Sequence, residues 1–222
     1  MERILLMLAV LLSSNAFCQD NSTLINDIDR KLAANQTTIS KVLSNAAYMH
    51  LHSLTEFREI IKKHARPGKL LMVTDDEPGR KITVKGSVKR KNGEPVTDAL
   101  VYLYQTSARG WYADTAPHVN QMEGDMRHAR LFAYLKTDDK GEFELLTVQP
   151  KGYPRSDLPA HIHIMMWKEG KYLAGIPGEL LFDDDERLTP ERRRASIANG
   201  FLIEKNSGTE SHPVYDYKIV VN

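Results

Sequence analysis

The sequence predicts a mainly β fold, an antiparallel β-sandwich preceded by a helical N-terminal segment. Apolar residues recur at helical spacing before Pro67-Gly68 and at a spacing of two after Leu70. Turn sequences Lys91-Asn92-Gly93-Glu94, Asp138-Asp139-Lys140-Gly141 and Lys168-Glu169-Gly170-Lys171 separate the strand candidates. The chain has 222 residues, 41% apolar and 27% charged, with a formal net charge of +1, enough for one substantial core.

In chain order, residues 1–18 read as a secretory signal peptide. Arg3 precedes an apolar run from Ile4 to Leu12, too short to span a bilayer, and Ala16 and Cys18 fit a small-x-small cleavage pattern. Cleavage before Gln19 makes the protein secreted or periplasmic, and leaves a mature chain with no membrane span and no cysteine; a lipid anchor on Cys18 is the weaker reading. Residues 19–66 form the helical segment. Leu24, Ile25, Ile28, Leu32, Ile39, Val42, Leu43 and Ala46 make an apolar face, and Ser53-Leu54-Thr55-Glu56 resembles a capping box opening a further helix through Phe57, Ile60 and Ile61. An amphipathic face without another partner predicts a homodimer.

Residues 67–222 carry the sandwich. Strands are expected near 82–88, 99–105, 133–137, 142–147, 161–167, 180–182 and 215–221, with one late helix capped by Thr189, started by Pro190 and ended at Gly200. Balanced charge and the lack of phosphate-loop, dinucleotide or zinc-knuckle signatures argue against nucleic-acid, nucleotide or flavin chemistry.

The chemistry concentrates at Pro159-Ala160-His161-Ile162-His163. On a strand, side chains at i and i+2 share a face about 7 Å apart, so His161 and His163 can hold one metal ion while Ile162 points away. Tyr153 sits between Gly152 and Pro154 in the loop entering that strand, and Tyr112 follows a glycine turn after the 99–105 strand. His50-Leu51-His52 diverges if helical and reads as packing or surface. His118 and His128 read as exposed, His64 and His212 carry no motif, and Asp183-Asp184-Asp185-Glu186 reads as a solvated acidic turn. Tyr102, Tyr104, Tyr215 and Tyr217 alternate along strands and read as packing.

Taken in order, Gly93-Glu94-Pro95-Val96, Gly110-Trp111-Tyr112, Thr137-Asp138-Asp139-Lys140-Gly141-Glu142-Phe143, Gln149-Pro150-Lys151-Gly152-Tyr153-Pro154 and Pro159-Ala160-His161-Ile162-His163 resemble the intradiol ring-cleavage dioxygenases. The resemblance implies Fe(3+) held by Tyr112, Tyr153, His161 and His163. It further implies that Tyr153 is the ligand that leaves and takes a substrate proton, with an aromatic diol and O2 as reactants and a muconate-type diacid as product. Phenolates suit this ion because hard anionic oxygen favours a trivalent metal, whose charge lowers the phenol pKa. The sequence departs from the family where Leu158 replaces the usual Arg and Glu179 the usual Gln. Arg155 and Arg109 are the candidate replacements for the missing guanidinium. A non-catalytic transthyretin-like sandwich that keeps a metal site is the alternative, and a zinc or copper binder the third reading.

Overall fold

The computed structural model describes residues 21–112 and 129–222. The expected signal peptide, His118 and His128 lie outside them. No helix among the described residues is long and apolar enough to cross a membrane.

Residues 21–33 form helix α1, which buries Ile25, Ile28 and Leu32 at three- and four-residue spacing. It ends where Asn35 turns to a φ of 54°. Helix α2 (Ile39–Leu43) then starts at Thr38, whose Oγ accepts from the Lys41 amide at 3.2 Å. A 3-10 helix (Ala46–Leu51) leads into α3 (Thr55–Lys63). The expected capping box does not form, because the preceding turn closes Leu54 N–H onto Leu51 O and makes Leu54 the cap, leaving Ser53 outside the helix.

These helices pack on their own chain. Arg58 of α3 is 4% exposed, lies 3.7 Å over the Phe132 ring, and donates to the carbonyls of His52 (3.0 Å) and Ala129 (3.1 Å) and to the Tyr102 hydroxyl. Asp29 of α1 accepts from Lys63 and meets His64 Nε2 at 2.6 Å. The face expected to drive dimerisation is therefore covered within the chain, and that argument for a homodimer falls away.

The strands are β1 (Lys69–Leu71), β2 (Lys81–Arg90), β3 (Leu100–Gln105), β4 (Leu131–Lys136), β5 (Glu142–Val148), β6 (His161–Lys168), β7 (Lys171–Tyr172), β8 (Glu179–Phe182), β9 (Leu202–Glu204) and β10 (Val214–Val221). They make two sheets, ordered β1-β5-β2-β10 and β4-β3-β6-β8-β9, with β7 folded back on β6 through Glu169 and Gly170, both at positive φ. The mainly β class holds, but the sheets are mixed where a purely antiparallel sandwich was expected. β1 pairs with β5, β10 with β2, and β8 with β9 in parallel. Helix α4 (Pro190–Ala198), capped by Thr189 as its sequence predicts, supplies the crossover that the β8–β9 parallel pair requires.

One apolar core joins both sheets. Phe182 of β8 meets Tyr215 of β10 edge-on at 4.7 Å, and the Tyr217 hydroxyl donates to Leu181 O at 2.9 Å. Each such buried side chain contributes about 1.5–3 kcal/mol by removal from water. Gln105, fully buried, donates to Val148 O and accepts from Thr147, closing the end of the core near the tyrosine loops. The central position of β6, between β3 and β8, gives its side chains a rigid base.

Candidate metal centre

Alternation along β6 sends Ile162 and Ile164 into the core, each no more than 1% exposed, and His161 and His163 to the opposite face. His161 Nδ1 lies 2.9 Å from Pro159 O, so this nitrogen donates and Nε2 presents its lone pair to the site. Tyr104, directly across on β3, stacks on His163 with ring centroids 4.4 Å apart and planes 11° from parallel. That contact fixes the imidazole, a role beyond the packing expected from alternation.

The two tyrosines arrive on loops held by glycines. Gly110 adopts a φ of +81°, and a Cβ there would stand 2.5 Å from Gly152 O. Gly152 itself leaves no room for a Cβ against Leu158 O. The loops therefore meet backbone to backbone, and the Tyr112 and Tyr153 hydroxyls come within 2.8 Å of each other.

Four donors converge. Tyr153 Oη stands 3.0 Å from His161 Nε2 and 3.4 Å from His163 Nε2; Tyr112 Oη is 3.0 Å from His163 Nε2; the two Nε2 atoms are 3.2 Å apart. With His161 Nδ1 protonated, two hydroxyls and one ring N–H cannot place a proton in each of these contacts and the hydroxyl pair as well. Separations near 3 Å are those of ligands around an ion with bonds of ~2.0–2.1 Å. The chemistry of two phenols and two imidazoles, together with this crowding of lone pairs, fits iron(III).

Burial shapes the electrostatics. Tyr112 is 4% and Tyr153 7% exposed, and desolvation pushes both phenols up from their ordinary range, Tyr112 further because the Tyr153 oxygen adjoins it. A metal cation is what would offset that penalty on ionisation. Glu179, opposite His163 in the β6–β8 register, presents a carboxylate whose ligand atom lies within 4.8 Å of those of His161 and His163. Burial raises its pKa, while nearby His161 acts in the opposite sense.

The other sequence candidates lie further out. Arg155 is exposed in the turn after Tyr153, and Leu158, 37% exposed, sits on the same loop. Arg109 is exposed and lines, with Glu77, Trp111 and Arg130, a cavity of about 430 Å³ to which none of the four donors contributes. The arginine that supports the Tyr153 loop is Arg187, which donates to Tyr153 O and Ser156 O at 3.0 Å each. Its neighbour Asp185 accepts from Ala160 N–H at 3.1 Å, just before His161. The acidic run is thus more than a solvated turn, since Asp185 braces the histidine strand and Asp184 accepts from Tyr215. Arg187 N–H donates to Asp185 Oδ1 at 2.8 Å, which tightens this turn, and no motif in the sequence marks it.

His52 belongs to none of this. It is 2% exposed, stacked on Phe57 at 5.3 Å, with Nδ1 2.9 Å from Arg130 O and Nε2 unpartnered. Its packing role is as the sequence suggests.

Comparison with known proteins agrees with the geometry. A family model described as Dioxygenase matches residues 57–221. The chain is 30% identical over 166 residues to the protocatechuate 3,4-dioxygenase beta chain of Burkholderia cepacia, covering 67% of this chain and 68% of that protein. It is 25% identical over 111 residues to catechol 1,2-dioxygenase of Acinetobacter baylyi, covering 43% of this chain and 34% of that protein. Among solved structures, the intradiol ring-cleavage dioxygenase from Tetranychus urticae superposes with a TM-score of 0.52 at 18% identity, over 71% of this chain and 87% of that one. The dioxygenase domain of a carbohydrate-binding fusion from Streptomyces sp. SirexAA-E gives 0.51 at 21% identity, over 71% and 89%. These structural likenesses concern the fold.

Proposed function

Because the chain belongs to the intradiol ring-cleavage dioxygenase family, we propose that it is a secreted non-haem iron(III) enzyme. In this reading it cleaves a catechol-type ortho-diphenol with O2 to a muconate-type diacid, incorporating both oxygen atoms. The observation that supports this most is the convergence of Tyr112, Tyr153, His161 and His163 within hydrogen-bond distance of one another.

Iron(III) held there would supply Lewis acidity toward a diol entering the site. The chain's own residues do the rest. His161 and His163 hold the ion from a rigid strand, oriented by Pro159 O and by the Tyr104 ring. Tyr112 holds it from the loop that Gly110 shapes. Tyr153 Oη, on a loop between Gly152 and Pro154, is the atom placed to take a proton from the arriving diol hydroxyl, since its pKa is raised by burial and it borders both histidines. Two phenolates on a trivalent ion leave one positive charge, which attracts a catecholate more strongly in this desolvated site than in water.

Leu158, exposed at the position where relatives of this type carry Arg, favours a second reading: a metal-keeping sandwich that binds a diol without opening it. Oxygen uptake with catechol and protocatechuate decides between them. Uptake matched by a ring-opened diacid supports the enzyme; iron-loaded protein that binds catechol and consumes no oxygen supports the binding module. For location, N-terminal sequencing of the exported protein should begin at Gln19; an intact Met1 overturns secretion by this route.

A further inference from the structure

The four-donor centre draws its ligands from two kinds of support. Tyr112 and Tyr153 come from loops, whereas His161 and His163 stand on β6, hydrogen-bonded on both sides. A fifth donor shares that strand support. Glu179 opens β8 directly opposite His163, and residues opposite each other across an antiparallel pair project to the same face. The strand entry is pinned by Ile164 N–H donating to Gly178 O at 3.0 Å, with Gly178 at a φ of +74°.

One ligand atom each from His161, His163 and Glu179 lies within 4.8 Å of the others. Two imidazoles and one carboxylate on a single face are a donor set suited to divalent first-row ions, with the remaining positions open. Charge points the same way. A divalent ion beside one carboxylate keeps a single positive charge without any phenolate, so neither tyrosine has to ionise. A Gln at this position offers a neutral amide oxygen and lacks this capacity.

We propose that Glu179 is a third strand-borne ligand, through which the centre holds a divalent first-row metal ion by His161, His163 and Glu179 without either tyrosine. This rests on the metal-centre reading only in taking His161 and His163 as donors. The site then has two modes of occupancy: a trivalent one that recruits the loop tyrosines, and a divalent one carried by the two strands. The substitution of Glu for Gln has a chemical consequence, an ion held before the loops engage.

The test uses the full mature chain and Co(II) as the probe. In a Tyr112→Phe/Tyr153→Phe double variant, one Co(II) per chain should bind with visible ligand-field absorption. Adding Glu179→Gln should weaken that binding by at least about 100-fold, the upper end of what supporting residues cost a metal site. Equal Co(II) affinity with and without Glu179→Gln, or no Co(II) on a double variant whose circular dichroism shows it folded, overturns the proposal. If the double variant does not fold, the wild type and the Glu179→Gln single variant are compared for Co(II) affinity, and an unchanged value overturns it equally. The iron(III) reading fails separately. A wild type lacking a tyrosinate band with iron(III), alongside a double variant that binds Co(II) through Glu179, removes that reading and leaves this one; the reverse pair of results does the opposite.

Discussion

A Cβ on Gly110 would stand 2.5 Å from the carbonyl oxygen of Gly152, and this backbone approach is what sets Tyr112 and Tyr153 side by side. The Gly110→Ala variant meets both that collision and a φ of +81°. It should lose about 1–3 kcal/mol of stability and fall well below one iron per chain. Gly170→Ala is the control, because Gly170 shares a positive φ of +75° but has nothing within 4 Å. Thermal melts and metal analysis of the two check this; full iron in Gly110→Ala contradicts it.

Arg187 holds the Tyr153 loop by two carbonyl bonds, while Arg192 ties the same loop further along through an ion pair with Asp157. The Arg187→Ala change should leave the histidine strand intact and loosen Tyr153. The expected outcome is a tyrosinate band reduced in intensity, with iron still bound and a cost of about 1.5–3 kcal/mol for charge-assisted hydrogen bonds. A spectrum and melting temperature matching wild type argue that the loop is fixed by other means.

The legible part of this site was the part written locally. Pro159 to His163 shows its ligands because strand alternation is a property of five adjacent residues, and the resemblance then supplied Tyr112 and Tyr153. Arg187, Asp185 and Tyr104 act across the fold, and nothing in the sequence around them marks the contact. The same holds for the architecture. Long alternating strands such as β2 and β10 were readable, but β1, β7 and β9 are too short to show a period, and the parallel direction of β10 on β2 depends on how the chain returns after α4. The argument from the amphipathic face to a dimer was incomplete for a physical reason as well: such a face says only that it is covered, and here residues of the same chain cover it.

Iron loading should depend on pH in a definite direction. Burial raises the Tyr112 and Tyr153 phenols, so they are protonated in the metal-free protein at neutral pH, and binding as phenolates must release their protons. Apparent iron affinity therefore rises with pH, about tenfold per unit for each proton released. Competition against a chelator, corrected for the chelator's own protonation, should show a slope about one proton smaller in Tyr153→Phe. An identical slope in that variant shows that Tyr153 is not ionised by the metal.

His52 gives a stability test away from the centre. Burial pushes its pKa down to about 4 from an ordinary 6.5. The unfolded chain therefore takes up the proton first as pH falls: the stability due to neutral His52 is complete above about 6.5, declines between 6.5 and 4, and is lost below. The span corresponds to roughly 3 kcal/mol. His52→Phe keeps the stacking volume and removes the titrating ring, so its denaturation midpoint should fall less between pH 7 and pH 4 than the wild type's. Parallel declines in both proteins count against this role.

The proposed iron(III) centre has four side-chain ligands, Tyr112, Tyr153, His161 and His163, and is open to a diol. Metal analysis and the visible spectrum of the purified mature protein, before and after catechol is added without oxygen, test it most directly. One iron per chain with a red-brown tyrosinate charge-transfer band that shifts on catechol addition, both lost in His161→Ala, is the result expected. Protein that stays colourless and iron-free after reconstitution, or His161→Ala that keeps both iron and colour, contradicts it.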